Sequence, residues 1–255
     1  MDVKESLGGE IGKQVPVKAI YDDVAHPALT EVGKALQGVT KMALSPISAM
    51  VWGFEKIASY LDVAIPEYFA RKKITPEKIK SPDPSIAVPT VIALTYNSHK
   101  TELRNMFTNL LGASMNSDVV DEHPAFVEII KQLSSDECKM LRMFFFEKSI
   151  PIIKPRVKID NKGEYDVVPY FGDVCYKIDC SHPEKFPEYM DNLQRLGLVD
   201  IEKDRLFTDD TIYENLKKHP NYPKITLSAG QSIVEKKSYY TITELGRKFC
   251  SICLE

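Results

Sequence analysis

Cysteine and histidine are the residue types best suited to metal or nucleophilic chemistry, and this chain has five of each. Cys250 and Cys253 form a CxxC pair, while Cys175 and Cys180 lie five positions apart. Four thiolates could hold zinc if the pairs met in the fold, which the sequence does not decide. However, Cys253 lies on the apolar stripe of the last predicted helix, and free cysteine packs as a small hydrophobe. The pattern favours core packing, so we expect no metal or other cofactor.

The histidines show no metal-binding spacing such as HExxH. Most of them precede a proline, namely His26, His123, His182 and His219. Proline restricts the residue before it to extended or helix-entry conformations, which explains these positions locally. His123 could form an acid–base pair with Glu128, or with Asp121 and Glu122. Because no nucleophile lies nearby in sequence, we expect a capping or surface role for His123.

Two motifs begin like known catalytic loops and are incomplete. Residues 112–116 (GASMN) start like a nucleophile elbow around Ser114 but lack its closing glycine. Gly12 and Lys13 have no glycine five residues before Gly12, and Gln14 replaces the Ser or Thr of a phosphate-binding loop. We therefore expect a protein that is not an enzyme.

The composition is that of an ordinary globular protein. The chain has 255 residues, 44% of them hydrophobic and 27% charged, which suits one large or two modest domains. Lys and Arg total 33 against 36 for Asp and Glu, a net charge of −3 that makes nucleic acid an unlikely partner. The odd cysteine count and the lack of a visible secretory signal predict a cytoplasmic location.

The N-terminal region combines a loose lead-in at 1–27 with an amphipathic helical region at 28–75, kinked or restarted at Pro46. Residues 42–54 carry no charge, and this stretch is shorter than the ~20 apolar residues that cross a bilayer. It predicts either a helix buried by self-association or by a protein partner, or an interfacial membrane segment anchored by Trp52.

A basic run at 71–80 follows this helical region, with five basic residues and one acid. Such a run could contact anionic lipid at the inner membrane. The candidate residues for protein or membrane contact are Ile47, Met50, Val51, Trp52, Phe54, Arg71, Lys72 and Lys73.

The centre of the chain predicts a proline-rich linker at 76–89 and a helical bundle at 90–149. Four prolines in the first segment favour extended structure. The strongest amphipathic pattern lies in the second, at Leu103, Met106, Phe107, Leu110 and Leu111. The spacing of Ser134 and Glu137 fits a capping box and predicts a further helix.

Residues 150–255 predict a smaller α+β domain, so the fold class is mostly α with a smaller α+β part. Strands are expected at 150–159 and 165–171, followed by a helix that begins with a capping box at Ser181 and Glu184 and ends at Gly197. Strands at 198–201 and 239–242 and a helix capped by Thr243 complete an order typical of winged-helix domains.

The helix at 184–196 would take the recognition position of that domain. It carries Glu184, Glu188 and Asp191 against Lys185 and Arg195, a balance that opposes contact with phosphates. Residues 198–242 would form an elaborated wing, and its basic residues keep DNA contact open as an alternative. They are Lys217, Lys218, Lys224, Lys236 and Lys237.

The segments SPDPSIAVP, ELRNMFTNLLGASMN and HPAFVEIIKQLSSDECKML, with YYTITELGRKF downstream, resemble the abortive infection alpha (Abi-alpha) family over roughly residues 28–255. The resemblance implies a cytoplasmic bacterial protein linked to defence against bacteriophage, and it carries no known catalytic residue.

The resemblance implies a role in antiviral defence, and the sequence features predict that such a protein is non-enzymatic and acts by protein–protein interaction or as a homo-oligomer. The alternatives are a membrane-perturbing effector that uses residues 42–61 and 71–80, and a winged-helix DNA-binding regulator.

Overall fold

The computed structural model describes residues 51–202 and 205–255. They fall into two compact units, one ending at Gln132 and the other running from Leu133 to Leu254. About half of the described residues are helical, and a smaller part forms an antiparallel sheet. The predictions made for residues 1–50, including the contact candidates Ile47 and Met50, lie outside the described residues. Within the described ranges, no helix combines the length and the apolar character needed to span a bilayer.

The first unit is built from helices α1 (Phe54–Lys72), α2 (Pro84–Asn97), α3 (Thr101–Ser114) and α4 (Ala125–Lys131). Helix α3 packs against the other three helices. Its predicted apolar stripe is confirmed, because all five side chains are no more than 1% exposed. This stripe therefore forms the centre of the unit's core.

The predicted linker at 76–89 is wrong in its second half, where helix α2 begins. Pro84 occupies the first turn, where its missing N–H is no loss, and the side chain of Asp83 accepts a hydrogen bond from the Ser85 amide at 2.7 Å. Pro89 lies inside the helix. Most residues of α2 are buried, and burial on nearly all sides outweighs the proline's local preference for extended structure. A short 3-10 turn, Pro76–Lys78, lies between α1 and α2.

The second unit is an α+β structure. Its elements are α5 (Ser135–Glu147), β1 (Ser149–Ile159), β2 (Gly163–Asp166), α6 (Val174–Lys177), α7 (Phe186–Arg195), β3 (Val199–Glu202), α8 (Thr211–Lys217), β4 (Gln231–Ile242) and α9 (Glu244–Cys253). The antiparallel sheet has the order β2-β1-β4-β3. Strand β1 pairs with β4 over its full length, from Ser149 opposite Thr241 to Ile159 opposite Gln231. Strand β3 pairs only with the end of β4.

Several local predictions for this unit are confirmed, and others need correction. Ser134 and Glu137 form the capping box of α5, although α5 clusters with the second unit rather than with the bundle predicted to end at 149. Gly197 ends α7 with φ +73°. The capping box predicted at Ser181 does not form, since α7 begins only at Phe186, after a 3-10 turn. The predicted strand at 165–171 is also shorter, because β2 ends at Asp166.

Helix α9 offers a direct test of its predicted cap. The Thr243 hydroxyl accepts a hydrogen bond from the Gly246 amide at 2.9 Å and lies 2.6 Å from the Gly197 carbonyl oxygen. We expect Thr243→Ala to lower the free energy of unfolding by about 1–2 kcal/mol, because it removes both contacts. Thr243→Ser keeps the hydroxyl and should lose less than half as much. Urea denaturation followed by far-UV circular dichroism measures both, and equal losses would contradict this role.

Candidate interaction site

The cysteines do not form a metal centre in the described chain. All five are buried thiols, and none of them forms a disulfide bond. Cys175 packs against the Met140 sulfur at 3.5 Å, whereas Cys253 lies near Cys250 and Cys138. Within residues 51–202 and 205–255, no three His, Cys, Asp or Glu residues are grouped so that they could hold a metal ion. Burial raises the pKa of the Cys175 and Cys253 thiols, which keeps them protonated and unreactive.

The other candidate reactive side chains take part in local backbone structure. His123 is exposed, and its Nδ1 accepts a hydrogen bond from the Ala125 amide at 3.1 Å just before α4. Pro124, which has no side-chain cap, is the N-cap of that helix, so His123 is a surface residue with a local backbone contact. The Ser114 hydroxyl is buried and donates to the Leu111 carbonyl oxygen at 2.7 Å. Ser114 is also the last residue of helix α3, in agreement with its expected position at a helix boundary.

Trp52 lies half-buried against its own unit. Its amide donates to the Thr95 carbonyl oxygen at 2.8 Å, and its ring meets the Tyr60 ring edge-on at 5.4 Å. The Lys56 ammonium lies 4.7 Å from the ring centre and the Arg104 guanidinium 5.6 Å from it. These contacts make the indole part of the first unit's packing. Its neighbours Val51 and Phe54 are half-buried as well.

The basic run at 71–80 is partly neutralised. Lys78 pairs with Asp118 at 2.6 Å, and Lys80 pairs with Glu122 at 3.0 Å. Arg71 donates to the Asn109 side-chain oxygen at 2.6 Å, while Lys72 and Lys73 are exposed at the end of α1. The paired acids come about 40 residues after the lysines, so the sequence does not indicate that they are neighbours in the fold. The basic run taken alone therefore overestimates the positive charge of this surface.

The second unit carries two adjoining clefts, with volumes of about 240 Å³ and 340 Å³. Both are lined by Pro169, Tyr170, Phe186 and Pro187, and we call the pair the Tyr170 groove. The smaller cleft adds Phe171, Tyr176 and Glu184 to this lining, among others. The larger cleft adds Lys154, Asp191 and Tyr240, among others. The groove is thus aromatic and proline-rich, with charged groups in both clefts.

The sheet and helix α7 hold the walls of the Tyr170 groove in place. Phe171 and Ile153 exchange two backbone hydrogen bonds, of 2.9 and 2.7 Å, which fix the segment beside Tyr170 to β1. The Tyr170 ring meets the Tyr240 ring edge-on at 6.3 Å, and the Lys154 ammonium lies 5.0 Å from its centre. Because these contacts and the groove prolines restrict motion, the groove is largely preformed.

The charge in the Tyr170 groove is predominantly acidic. Lys154 pairs with Asp166 at 2.5 Å, which offsets its positive charge. Asp191 is exposed at one end, and Glu184 lies 3.3 Å from the His182 imidazole at the other. Burial, together with the Asp191 carboxylate, raises the pKa of the Tyr240 phenol, so that phenol stays neutral. The groove therefore presents neutral aromatic rings beside two carboxylates.

A buried pair of acids at the start of α5 positions helix α7. Asp136 is 4% exposed and accepts hydrogen bonds from the Ser181 and His182 amides and from the Tyr189 hydroxyl. Glu137 accepts a hydrogen bond from the Asn192 side chain at 2.7 Å. The sequence pattern indicated Glu137 only as the capping-box partner of Ser134 and gave no role to Asp136. It missed their role because their partners lie 45 to 55 residues away.

The groove residues were also missed as a site, because each had a local explanation. Tyr170 and Phe171 fitted a strand, and Phe186 fitted the apolar face of a helix. The clustering of Pro169, Tyr170, Phe171 and Gly172 is the one local signal that departs from a regular strand.

Comparison with known proteins gave two matches. The sequence profile of a family described as abortive infection alpha matches residues 61–253. No curated protein matches the chain significantly. A solved structure of an uncharacterized protein from the hydrocarbon-degrading marine bacterium Alcanivorax borkumensis SK2 matches at 14% identity and a TM-score of 0.32. That match covers 52% of this chain and 96% of the other.

Proposed function

Because the chain belongs to the abortive infection alpha family, we propose that it is a bacterial anti-phage defence protein that acts by binding other proteins. The family match, over residues 61–253, is the observation that carries the defence role. A non-catalytic role is supported by the local structural contacts of Ser114 and His123 and by the burial of the cysteines. We place the protein in the cytoplasm and expect it to bind a protein partner or to self-associate.

We further propose that the second unit is a winged-helix-like module. Apart from the added strand β2 and the added helix α8, the chain order is α5, β1, α6, α7, β3, β4. The sheet order is β2-β1-β4-β3, and its part β1-β4-β3 supports this assignment. In such a module α7 is the recognition helix, and the elaborated wing at 198–242 carries helix α8 between β3 and β4. Glu188 and Asp191 are exposed on α7. An acidic recognition helix suits docking to a protein better than entry into a DNA groove.

The wing lysines add little support for the DNA alternative. Lys217 pairs with Glu214 at 2.8 Å and with Glu235 at 3.2 Å, and Lys237 pairs with Asp210 at 2.6 Å. Since these acids offset the two positive charges, fewer cations remain for phosphate contacts. The pairs formed by Lys78 and Lys80 weaken the case for anionic lipid in the same way.

Phage challenge tests the proposed function. We expect phages to form fewer plaques on bacteria that express the full chain than on bacteria with empty vector. When every cell is infected, we expect the expressing bacteria to die early. Early death of infected cells, with a reduced phage yield, is the signature of abortive infection. Plaque counts, cell survival and phage yield across a panel of phages measure this. Normal plaque counts for every phage, at a verified level of protein, would overturn the proposal.

Matched variants separate binding from catalysis in the same assay. Ser114→Ala and His123→Ala should leave protection unchanged, because neither residue is assigned a chemical role. Loss of protection in a variant that keeps wild-type stability would favour an enzyme instead.

Binding of the purified chain to anionic liposomes at low salt would favour the membrane alternative. Salt-sensitive binding to duplex DNA would favour the regulator.

A further inference from the structure

We propose that the Tyr170 groove binds an extended, proline-containing segment of a partner protein that carries lysine or arginine. This inference rests on the proposed function, because it names the chemistry of the protein partner.

The lining of the groove suits an extended backbone. Proline-containing segments adopt a left-handed extended helix without internal hydrogen bonds, and they dock in grooves lined by aromatic rings. Tyr170 and Phe186 line both clefts, while Tyr176 and Tyr240 each line one of them. Tyr170 and Tyr176 are half-buried and offer ring surface to a ligand, whereas Phe186 and Tyr240 are buried, at 3% and 4% exposed. The Tyr170 ring loses little conformational entropy on binding, because it already packs against Tyr240.

The size of the groove suits two neighbouring side chains rather than one compact ligand. The clefts of about 240 Å³ and 340 Å³ adjoin through their shared residues instead of forming a single deep cavity. An extended segment places successive groups along such a groove and leaves its backbone in water. The walls formed by Pro169 and Pro187 are rigid, so the two subsites exist before the partner arrives.

The charge of the groove selects a basic segment. Glu184 and Asp191 line separate clefts, and Asp166 offsets the charge of Lys154. A lysine or arginine beside the prolines would meet a carboxylate in either cleft, and its apolar stem would lie on the aromatic rings. A second copy of this groove would bring like charges together, so the occupant is a different surface with positive charge.

Fluorescence anisotropy of the purified full chain tests this inference. The probe is a labelled peptide of repeated Pro-Pro-Lys triplets, and the control peptide repeats Pro-Pro-Glu. We expect the basic peptide to bind in the micromolar range at low salt and the acidic peptide to bind at least about tenfold more weakly. Absence of binding of the basic peptide up to about 1 mM would overturn the inference, as would equal binding of both peptides.

Variants locate the binding. Tyr170→Ala should weaken it about tenfold or more, whereas Tyr170→Phe, which keeps the ring, should retain most of it. Asp191→Asn removes one charge and should weaken the basic peptide several-fold. Tyr165→Ala is the matched control, since Tyr165 is 42% exposed on β2 and does not line either cleft. Circular dichroism checks that each variant is folded. If Tyr170→Ala and Tyr165→Ala bind equally well, the groove is not the site.

The peptide measurement and the phage assay can refute the groove specificity and the defence function separately. Peptide binding without protection by the wild-type chain would refute the defence function and leave the groove specificity standing. Protection by the wild-type chain without peptide binding would refute the groove specificity alone. Protection that persists in a folded Tyr170→Ala variant would show that the groove does not serve defence, and that result also counts against the inference.

Discussion

Replacing Asp136 by alanine is expected to lower the free energy of unfolding of the second unit by about 3 kcal/mol. The carboxylate accepts hydrogen bonds from the Ser181 amide at 2.9 Å, the His182 amide at 3.1 Å and the Tyr189 hydroxyl at 3.0 Å. Because Asp136 is 4% exposed, its loss would leave these donors without an acceptor in a buried position. The damage would extend to the groove, since Tyr189 lies on α7 beside Phe186 and Pro187.

The effect of Asp136 should depend on pH with a defined sign. Burial raises the pKa of this carboxyl, but the hydrogen bonds from Ser181, Tyr189 and His182 outweigh burial and hold the pKa below its usual value of 3.8. A depressed pKa in the folded state means that the ionised carboxylate stabilises the fold above the unfolded-state pKa. That contribution is lost as the pH falls through the folded-state value. The difference between wild type and Asp136→Asn should therefore shrink below about pH 4.

Urea denaturation at neutral and acidic pH measures both effects. The single tryptophan, Trp52, lies in the first unit, so its fluorescence follows that unit. Far-UV circular dichroism follows both units, and a change confined to the dichroism signal belongs to the second. Asp160→Ala is the control, because this exposed aspartate should change stability by less than about 0.5 kcal/mol. If Asp136→Ala matched this control at neutral pH, the proposed role of the buried carboxylate would be wrong.

The sequence predicts those parts of the fold that depend on neighbours within one helical turn. The capping box at Ser134, the cap at Thr243 and the left-handed glycine at 197 each involve residues two to four positions apart. The apolar stripe of α3 follows from its period alone. These features are encoded locally, so tertiary structure has only to leave them undisturbed.

Features that depend on tertiary contacts were not predictable in the same way. Helix α2 forms despite its prolines because packing buries it on nearly all sides, and its local sequence favours extended structure. The same limit explains why the acids that neutralise Lys78 and Lys80 were overlooked. Burial and ion pairing depend on segments that are distant in sequence. The hypothesis that residues 71–80 contact anionic lipid required their basic side chains to be exposed and unpaired.

The Tyr170 groove shows this limit for a functional site. Its lining joins Lys154 on β1, Tyr170 in a connecting segment, Phe186 on α7 and Tyr240 on β4. Strand pairing places Ile150 opposite Tyr240 and thereby brings β4 beside β1 across about 90 residues of sequence. Each residue fits a strand or a helix when it is considered alone. The groove can therefore be recognised only when the order of the strands in the sheet is known.

The second large effect is expected for Gly246→Ala, in the first turn of α9. A Cβ atom at this position would overlap the Leu198 carbonyl oxygen and would lie 2.9 Å from Cγ1 of Ile242. The Leu198 carbonyl already accepts a hydrogen bond from the Thr243 amide at 3.0 Å, so moving it away would break a contact between α9 and the segment before β3. We expect the free energy of unfolding to fall by about 3 kcal/mol or more, at the upper end for overpacking.

Helix propensity alone predicts the opposite result for this substitution. In a helix, alanine is favoured over glycine by about 1 kcal/mol, so a solvent-facing Gly246 would gain stability on replacement. Ser251→Ala, in the same helix at an exposed position, serves as the matched control and should be neutral or slightly stabilising. Urea denaturation of the three proteins decides between the two effects. A loss of stability in Gly246→Ala, beside an unchanged Ser251→Ala, shows that the close approach of α9 to Leu198 requires glycine, whereas a gain would mean that the backbone contact is absent in solution.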